Sequence, residues 1–199
     1  MKSNVCKIEK GVKDLAAILK ECEMVAEYNG LNHKQSLQMR LICEEIDGML
    51  PKIIDDFDGE IWIEYEEGVC KVNVAVTFAE FTAKKKEELI NVSKNKKNAL
   101  AVGIIGKIRS AIEDCFLDAD GFKACGMASG YGRSASEYSI GIDHSYLWSL
   151  GEYKNNVTNE KHESAKDELE KSIIASIADD VIVGVKGRQA SIVVIKKFA

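Results

Sequence analysis

The sequence predicts an α+β fold, a two-layer α/β sandwich in which helices cover one face of a mixed, mostly antiparallel sheet. Three observations lead to this prediction. Two segments alternate apolar and polar residues around short polar turns, which is typical of β-hairpins. Other segments repeat apolar residues at helical spacing and have capping residues at their ends. Hairpins give antiparallel strand pairs, and the apolar side of each helix has to be buried against a sheet.

The N-terminal part of the chain predicts a strand followed by two helices. Residues 5–9 alternate and predict a first strand, and residues 12–28 carry apolar side chains at helical spacing. Asn32 is a typical N-cap residue for a second helix, whose apolar positions continue to residue 54. Pro51 lies near the end of this segment, so we expect the helix to kink or to start again there.

Two hairpins and three further helices complete the predicted order of elements. The runs GEIWIEYEEG and VCKVNVAVTFA form the first hairpin over residues 59–79, and residues 179–198 form the second. Between the hairpins we expect a short helix at 83–92, a polar loop, and a strongly apolar helix at 99–117. Glutamate and lysine at i,i+3 and i,i+4 spacing predict a solvated helix at 160–178.

We expect one domain over residues 1–199. Glycine and other loop-forming residues are frequent at 118–157, which we interpret as an irregular insertion. Residues 158–199 then add a C-terminal helix and a β-hairpin. Of the 199 residues, 46% are hydrophobic and 30% are charged, which suits a single globular core.

Composition excludes several classes of partner. The formal net charge of −5 provides no basic surface for nucleic acid or for anionic lipid. No apolar run is as long as a membrane span, and the N-terminal residues MKSNVCKIEK are too polar for a secretory signal, so we expect a cytoplasmic protein. Six cysteines are scattered without a C-x-x-C pair, so we expect reduced thiols and no Cys/His metal site.

The element order from about residue 12 to residue 117 resembles the ATP-binding domain of the GHKL superfamily. This domain is shared by gyrases, heat-shock chaperones, histidine kinases and mismatch-repair proteins, and the anti-sigma-factor serine kinases are similar to it. More specifically, the segments RLICEEIDGML, GEIWIEY, GIIGKIR and DELEKSIIASIADDVIVGVKG resemble a Firmicutes-type group of histidine-kinase-like ATPase-domain proteins. The resemblance implies ATP as a ligand, bound between a glutamate-bearing helix, a lid and a glycine-containing helix.

In the superfamily, one helix carries a glutamate that polarises a water or hydroxyl, and an asparagine one turn later that holds magnesium. The segment LICEEIDGML occupies the corresponding place, so the resemblance makes Glu44 and Glu45 the candidate catalytic residues. Four positions further on stand Gly48 and Met49, and neither side chain binds a hard cation. We therefore assign no metal ligands, and a dependence on magnesium is doubtful. Gly48 is either a ligand-binding position or a site of close packing.

The remaining binding candidates come from two other motifs of the superfamily. The Asp-Gly pair that binds adenine after the first hairpin is absent, and one glutamate is the nearest acid. A polar, lid-like loop contributes two asparagines, and the helix after it opens with two glycines and a lysine. Glycines let a phosphate approach the backbone and helix N-termini favour anions, although glycines at this spacing are also common in helix packing. The resulting cofactor-binding candidates, besides Gly48, are Glu80, Asn95, Asn98, Gly103, Gly106 and Lys107.

The two glutamates also have a structural interpretation. Neighbouring helix residues point about 100° apart, so Glu44 and Glu45 cannot face the same way. We expect one of them to form a surface ion pair with Arg40 or Lys52, and the other to lie nearer the apolar face.

Two classes of function are consistent with these patterns. The first is a degenerate ATP-binding-like domain with a regulatory or protein-interaction role and little or no phosphoryl transfer. The second is an active ATP-dependent serine kinase of anti-sigma type, or an ATPase, with Glu44 or Glu45 as the base. The missing metal ligand favours the first class, because metal ions neutralise the charge that develops in phosphoryl transfer. A protein partner, a nucleotide and self-association all stay open.

Overall fold

The computed structural model describes residues 1–9, 15–54, 56–78, 105–109, 112, 146–159, 172–186 and 188–198. In chain order, the strands are β1 (Cys6–Glu9), β2 (Phe57–Glu66), β3 (Val69–Phe78), β4 (Tyr146–Ser149), β5 (Asp180–Lys186) and β6 (Gln189–Lys197). The helices are α1 (Leu15–Tyr28), α2 (His33–Ile53), α3 (105–109), α4 (Leu150–Asn159) and α5 (Ile173–Ile177).

The six strands form one sheet in the order β1-β2-β3-β6-β5-β4, and every neighbouring pair is antiparallel. Together with the helices, this sheet confirms the predicted α+β sandwich. Both predicted hairpins are present, as β2–β3 and β5–β6. The β2–β3 connection consists of Glu67 and Gly68, which have φ angles of 49° and 81°. Two residues with positive φ form the type of turn whose twist matches that of a hairpin.

Helix α2 begins at a capping box. The Asn32 side chain accepts a hydrogen bond from the Gln35 N–H at 3.0 Å, and the Gln35 side chain accepts one from the Asn32 N–H at 3.0 Å. The helix then runs through Pro51 to Ile53, so the expectation that it starts again at the proline was wrong. Proline removes one backbone hydrogen bond, but the last turn still closes through the Ile54 N–H and the Leu50 carbonyl at 3.0 Å.

The main core lies between α1, α2 and one face of the sheet. Residues of α2 at helical spacing are buried here: Met39, Ile42, Cys43, Ile46, Met49, Leu50 and Ile53. Alternate residues of the central strands meet them, and these include Val72, Val74, Ile192 and Val194. The other face of the sheet carries a smaller apolar cluster of Ile182, Val193 and Ile195, with Val69 packed against it.

In the described part of the predicted irregular insertion at 118–157, which is residues 146–157, the structure has regular elements. Within that range, β4 pairs with β5 at the edge of the sheet, and α4 begins directly after β4. The Ser149 hydroxyl accepts a hydrogen bond from the Glu152 N–H at 3.1 Å, and the Asp180 carboxylate accepts one from the Gly151 N–H at 2.9 Å. These acceptors satisfy donors of the first turn of α4. Strand β4 has only four residues and a distant partner, so no local pattern predicts it.

Several predicted elements fall on residues outside those that the structure describes. They include the short helix at 83–92, the lid-like loop, and residues 118–145 of the predicted insertion. Of the helix predicted at 99–117, the described residues 105–109 and 112 are helical. Of the helix predicted at 160–178, the described part contains α5.

Three cysteines from three elements are buried in the core. Cys22 of α1 is 1% exposed, and Cys43 of α2 and Cys70 of β3 are each 0% exposed. All three are free thiols. Burial raises the pKa of Cys70 to about 12.

Gly59 leaves no room for a side chain where β2 pairs with β3. A Cβ atom there would lie 2.5 Å from the backbone oxygen of Ala75 and 2.7 Å from a methyl carbon of Val76. Because backbone cannot rotate away, we expect Gly59→Ala to lower the free energy of unfolding by about 1–3 kcal/mol, measured by urea denaturation.

Gly48→Ala is the matched control for this variant. A Cβ atom at Gly48 would meet nothing within 4 Å, and the residue lies inside α2. Alanine favours the helix, so this change should raise the free energy of unfolding by about 0.5–1 kcal/mol. Equal stabilities of the two variants would contradict the clash at Gly59.

The raised pKa of Cys70 predicts a loss of stability in alkali. The unfolded thiol ionises near the ordinary value of 9.0, whereas the folded thiol keeps its proton up to about 12. The contribution of the protonated Cys70 thiol to the free energy of unfolding is complete below pH 9.0. It is lost as the pH rises towards 12, at no more than about 1.4 kcal/mol per pH unit. Cys70→Ala should therefore show a shallower fall in the free energy of unfolding between about pH 8 and about pH 11. Urea titrations under reducing conditions measure both chains, and identical slopes would contradict the prediction.

Candidate functional site

Glu44 forms an ion pair on the outer side of α2. Arg40 Nε donates a hydrogen bond to Glu44 Oε1 at 2.9 Å, and Arg40 Nη1 lies 3.4 Å from Glu23 Oε1 on α1. The hydrogen bond to Glu44 raises the pKa of Arg40. The pairing confirms that one of the two glutamates binds Arg40. A carboxylate that the resemblance assigns to catalysis thus belongs to a charge network that connects the two helices.

Glu45 and Gly48 lie further along the same helix. Glu45 is half-buried and Gly48 is exposed. Since a Cβ atom at Gly48 would meet nothing within 4 Å, the interpretation of Gly48 as a close-packing site was wrong. The backbone at this position is open to a ligand. Among the residues that the structure describes, no group of three or more His, Cys, Asp or Glu side chains is arranged to hold a metal ion.

Helix α3 lies next to the C-terminal end of α2. Arg109 Nη1 donates a hydrogen bond to the carbonyl oxygen of Lys52 at 3.3 Å. Ile108 and Ile112 are buried in the core that α1 and α2 share with the sheet. The glutamate-bearing helix and the helix that contains Gly106 are therefore neighbours on one face of the sheet.

The candidates of α3 have contacts of their own. Gly106 is buried. Lys107 Nζ lies 5.7 Å from the centre of the Tyr153 ring on α4, within the range of a cation–π interaction. The other binding candidates, Glu80, Asn95, Asn98 and Gly103, lie outside the described residues.

A cavity of about 770 Å³ lies at one end of the sheet, where β1 and β3 end and β2 and β6 begin. Its lining includes Ala75, a small residue opposite Glu60. Its charged and polar lining consists of Lys7, Glu9, Asp58, Glu60, Thr77 and Gln189. Three carboxylates and one ammonium group give the described lining an excess of negative charge. The described part of the lining is therefore poorly suited to a triphosphate.

This strand-end cavity is distinct from the cleft that the resemblance implies. Asp58 and Glu60 alternate along β2 with Ile61 and Ile63, which pack into the core beneath the helices. Alternate residues point to opposite faces, so the two acids face away from α1 and α2. Of the predicted site residues that the structure describes, Glu44, Glu45, Gly48, Gly106 and Lys107, none lines the cavity. The alternation of charges in β1 and β2 is visible in the sequence, but their assembly around a cavity depends on four strands.

The chain was compared with known proteins at three levels. No protein-family model, no curated protein and no solved structure matches it. Among the helices that the structure describes, none has the length and apolar character needed to cross a membrane. The basis for a function is therefore the chemistry of the residues and their geometry.

The register of β1 and β2 predicts how charge changes at the cavity affect stability. Glu9 lies directly opposite Asp58, and Lys7 lies opposite Glu60. Like charges in direct opposition destabilise a sheet, so Asp58→Asn should raise the free energy of unfolding by about 0.2–1 kcal/mol in low salt. Glu60→Gln is the matched control, because it removes an attractive pair and should not stabilise the fold. Urea denaturation measures both variants, and a gain that persisted in molar salt would contradict the electrostatic cause.

Proposed function

We propose that this chain is an ATP-binding-like regulatory or protein-interaction domain with little or no phosphoryl-transfer activity. The observation that carries the proposal is the surface of α2 around its glutamates. Glu44 is paired with Arg40, and one turn later Gly48 offers an open backbone but no side chain for a metal ion. A nucleotide can approach such a surface. Without a protein ligand for magnesium at this position, the charge of a transferring phosphoryl group is poorly neutralised.

The position of α3 supports a nucleotide site beside α2. The contact between Arg109 and the Lys52 carbonyl places the two helices next to each other over the same core. The resemblance to the GHKL superfamily requires this neighbourhood, because its nucleotide lies between the corresponding helices. Gly48, where the backbone is open, lies in the same C-terminal half of α2 as Lys52.

The proposal includes a cytoplasmic location, and it specifies the partner only as a protein. The four cysteines that the structure describes are free thiols, which fits a reducing compartment. The acidic net charge of −5 disfavours nucleic acid as the partner.

Thermal melting with ATP tests the nucleotide part of the proposal. A ligand that binds only the folded state stabilises it, by about 2.7 kcal/mol at 100 times its Kd. We expect millimolar ATP to raise the melting temperature equally with and without magnesium. A rise in melting temperature that required magnesium would favour the enzyme class. If the melting temperature did not rise, nucleotide binding would be rejected and the protein-interaction role would remain.

Matched variants locate the site. Gly48→Leu fills the open space beside α2 and should abolish the shift that ATP causes. Asp58→Asn, in the strand-end cavity on the other sheet face, should leave that shift unchanged. Equal shifts in both variants would place the nucleotide away from α2.

Phosphate release tests the catalytic part. Wild-type protein and a Glu44→Ala/Glu45→Ala double variant should both stay at the rate of a buffer blank. Turnover by the wild type that the double variant lost would show that these carboxylates catalyse the reaction.

A further inference from the structure

Strand β1 lies at the edge of the sheet. Among the strands that the structure describes, it stands first in the order β1-β2-β3-β6-β5-β4 and pairs with β2 alone. An edge strand presents unpaired N–H and C=O groups, which are a template for the addition of another strand. Ile8 of β1 is buried in the core, so its neighbours Lys7 and Glu9 point to the opposite face of the sheet, where both are exposed.

The charges at this edge are not balanced within one chain. Glu9 lies directly opposite Asp58 of β2, whereas Lys7 lies opposite Glu60. Among the residues that the structure describes, neither Lys7 nor Glu9 has an ion-pair partner. Two carboxylates therefore stand side by side next to the open edge, and a cation on an added strand would be attracted to them.

Helix α1 presents apolar side chains on the same side of the molecule. Met24 is 44% exposed and Tyr28, one turn later, is 76% exposed. Both share a side of α1 with Glu21, at i, i+3 and i+7 spacing. Glu21 accepts hydrogen bonds from the backbone and side-chain nitrogens of Asn4, at 3.0 and 2.9 Å. This apolar side of α1 is therefore directed towards the segment that leads into β1.

We propose that two copies of this chain form a symmetric dimer by antiparallel pairing of β1 with the partner's β1. The register places Ile8 opposite the partner's Ile8, and Lys7 opposite the partner's Glu9. The two sheets then continue into each other, and both α1 helices lie over the same face, because Ile8 points into the core of each copy. The sides of α1 that carry Met24 and Tyr28 face each other across the two-fold axis.

Charge complementarity selects this register and this partner. A shift by one residue would place the helices of the two copies on opposite faces of the sheet. A shift by two would bring Lys7 opposite the partner's Lys7, or Glu9 opposite the partner's Glu9, and like charges in direct opposition destabilise a sheet. In the proposed register, the partner's Lys7 lies beside Glu9 and Asp58. A second copy thus supplies the cation that the edge of a single chain lacks.

Sedimentation velocity of the full chain tests the dimer. With increasing protein concentration, we expect the mass to rise from the 22.0 kDa of one chain to twice this value and no further, because the dimer occupies both β1 edges. A series of larger assemblies would overturn the proposal. So would a chain that stays monomeric at millimolar concentration, and the edge would then be left to a strand of a different protein.

Charge-reversal variants test the register. Lys7→Glu and Glu9→Lys each turn the two attractive pairs of the dimer into repulsive ones, so each should raise the dimer Kd at least about tenfold. Their effects within one chain are opposite, because Lys7→Glu adds a like charge opposite Glu60 and Glu9→Lys removes one opposite Asp58. Weaker association of both variants therefore reports on the interface and not on folding. Lys197→Glu, an equal change of charge on β6, is the matched control and should keep the wild-type Kd.

A mixture of the two variants gives the sharpest result. Lys7→Glu has only acidic and Glu9→Lys only basic side chains at these two positions, so one copy of each restores both attractive pairs. In native mass spectrometry of an equal mixture, we expect a heterodimer that forms at least about tenfold more tightly than either homodimer. Homodimers as abundant as the heterodimer, or single variants with the wild-type Kd, would overturn the proposal. If Lys7→Glu does not fold, the Kd of Glu9→Lys still decides.

Discussion

The antiparallel pairing of β3 with β6 joins the two halves of the fold, and the apolar side of α2 is buried over the core that residues of both strands line. Strand β3 comes from the first hairpin and β6 from the second, more than one hundred residues later. The two hairpins form one sheet beneath this helix, and residues of both line the core with α2. Helix α1 packs against α2, and α5 contacts it. A polar residue on the apolar side of α2 would be buried over the strands of both hairpins, and it would destabilise the fold because a buried polar group without a partner is costly.

The same contact explains why two acids stand in the middle of a buried helix. With about 3.6 residues per turn, the stripe through Ile42, Cys43 and Ile46 leaves Glu44 on the outer side and Glu45 at its margin. Arg40 then connects Glu44 with α1. Folding alone thus accounts for the placement of these carboxylates. A catalytic role needs further groups, and the residue one turn after Glu44 provides no ligand for a metal ion.

The proposed nucleotide site lies towards the C-terminal end of α2, where Gly48 is exposed and Arg109 of α3 donates a hydrogen bond to the Lys52 carbonyl. The strand-end cavity is separate from it, since its acidic side chains face away from α1 and α2.

Local signals in the chain were sufficient to specify the elements that depend on near neighbours. These are the apolar periods of α1 and α2, the N-cap at Asn32, the alternation of both hairpins and the i,i+4 pair of Arg40 and Glu44. Packing of the whole chain was needed for the strand order, the pairing of β4 with β5, the clash that requires Gly59 and the cavity. The difference is one of range, because helix and hairpin signals arise between residues a few positions apart. Cavities and sheet order arise between residues that are distant in the chain and meet only when all the elements have come together.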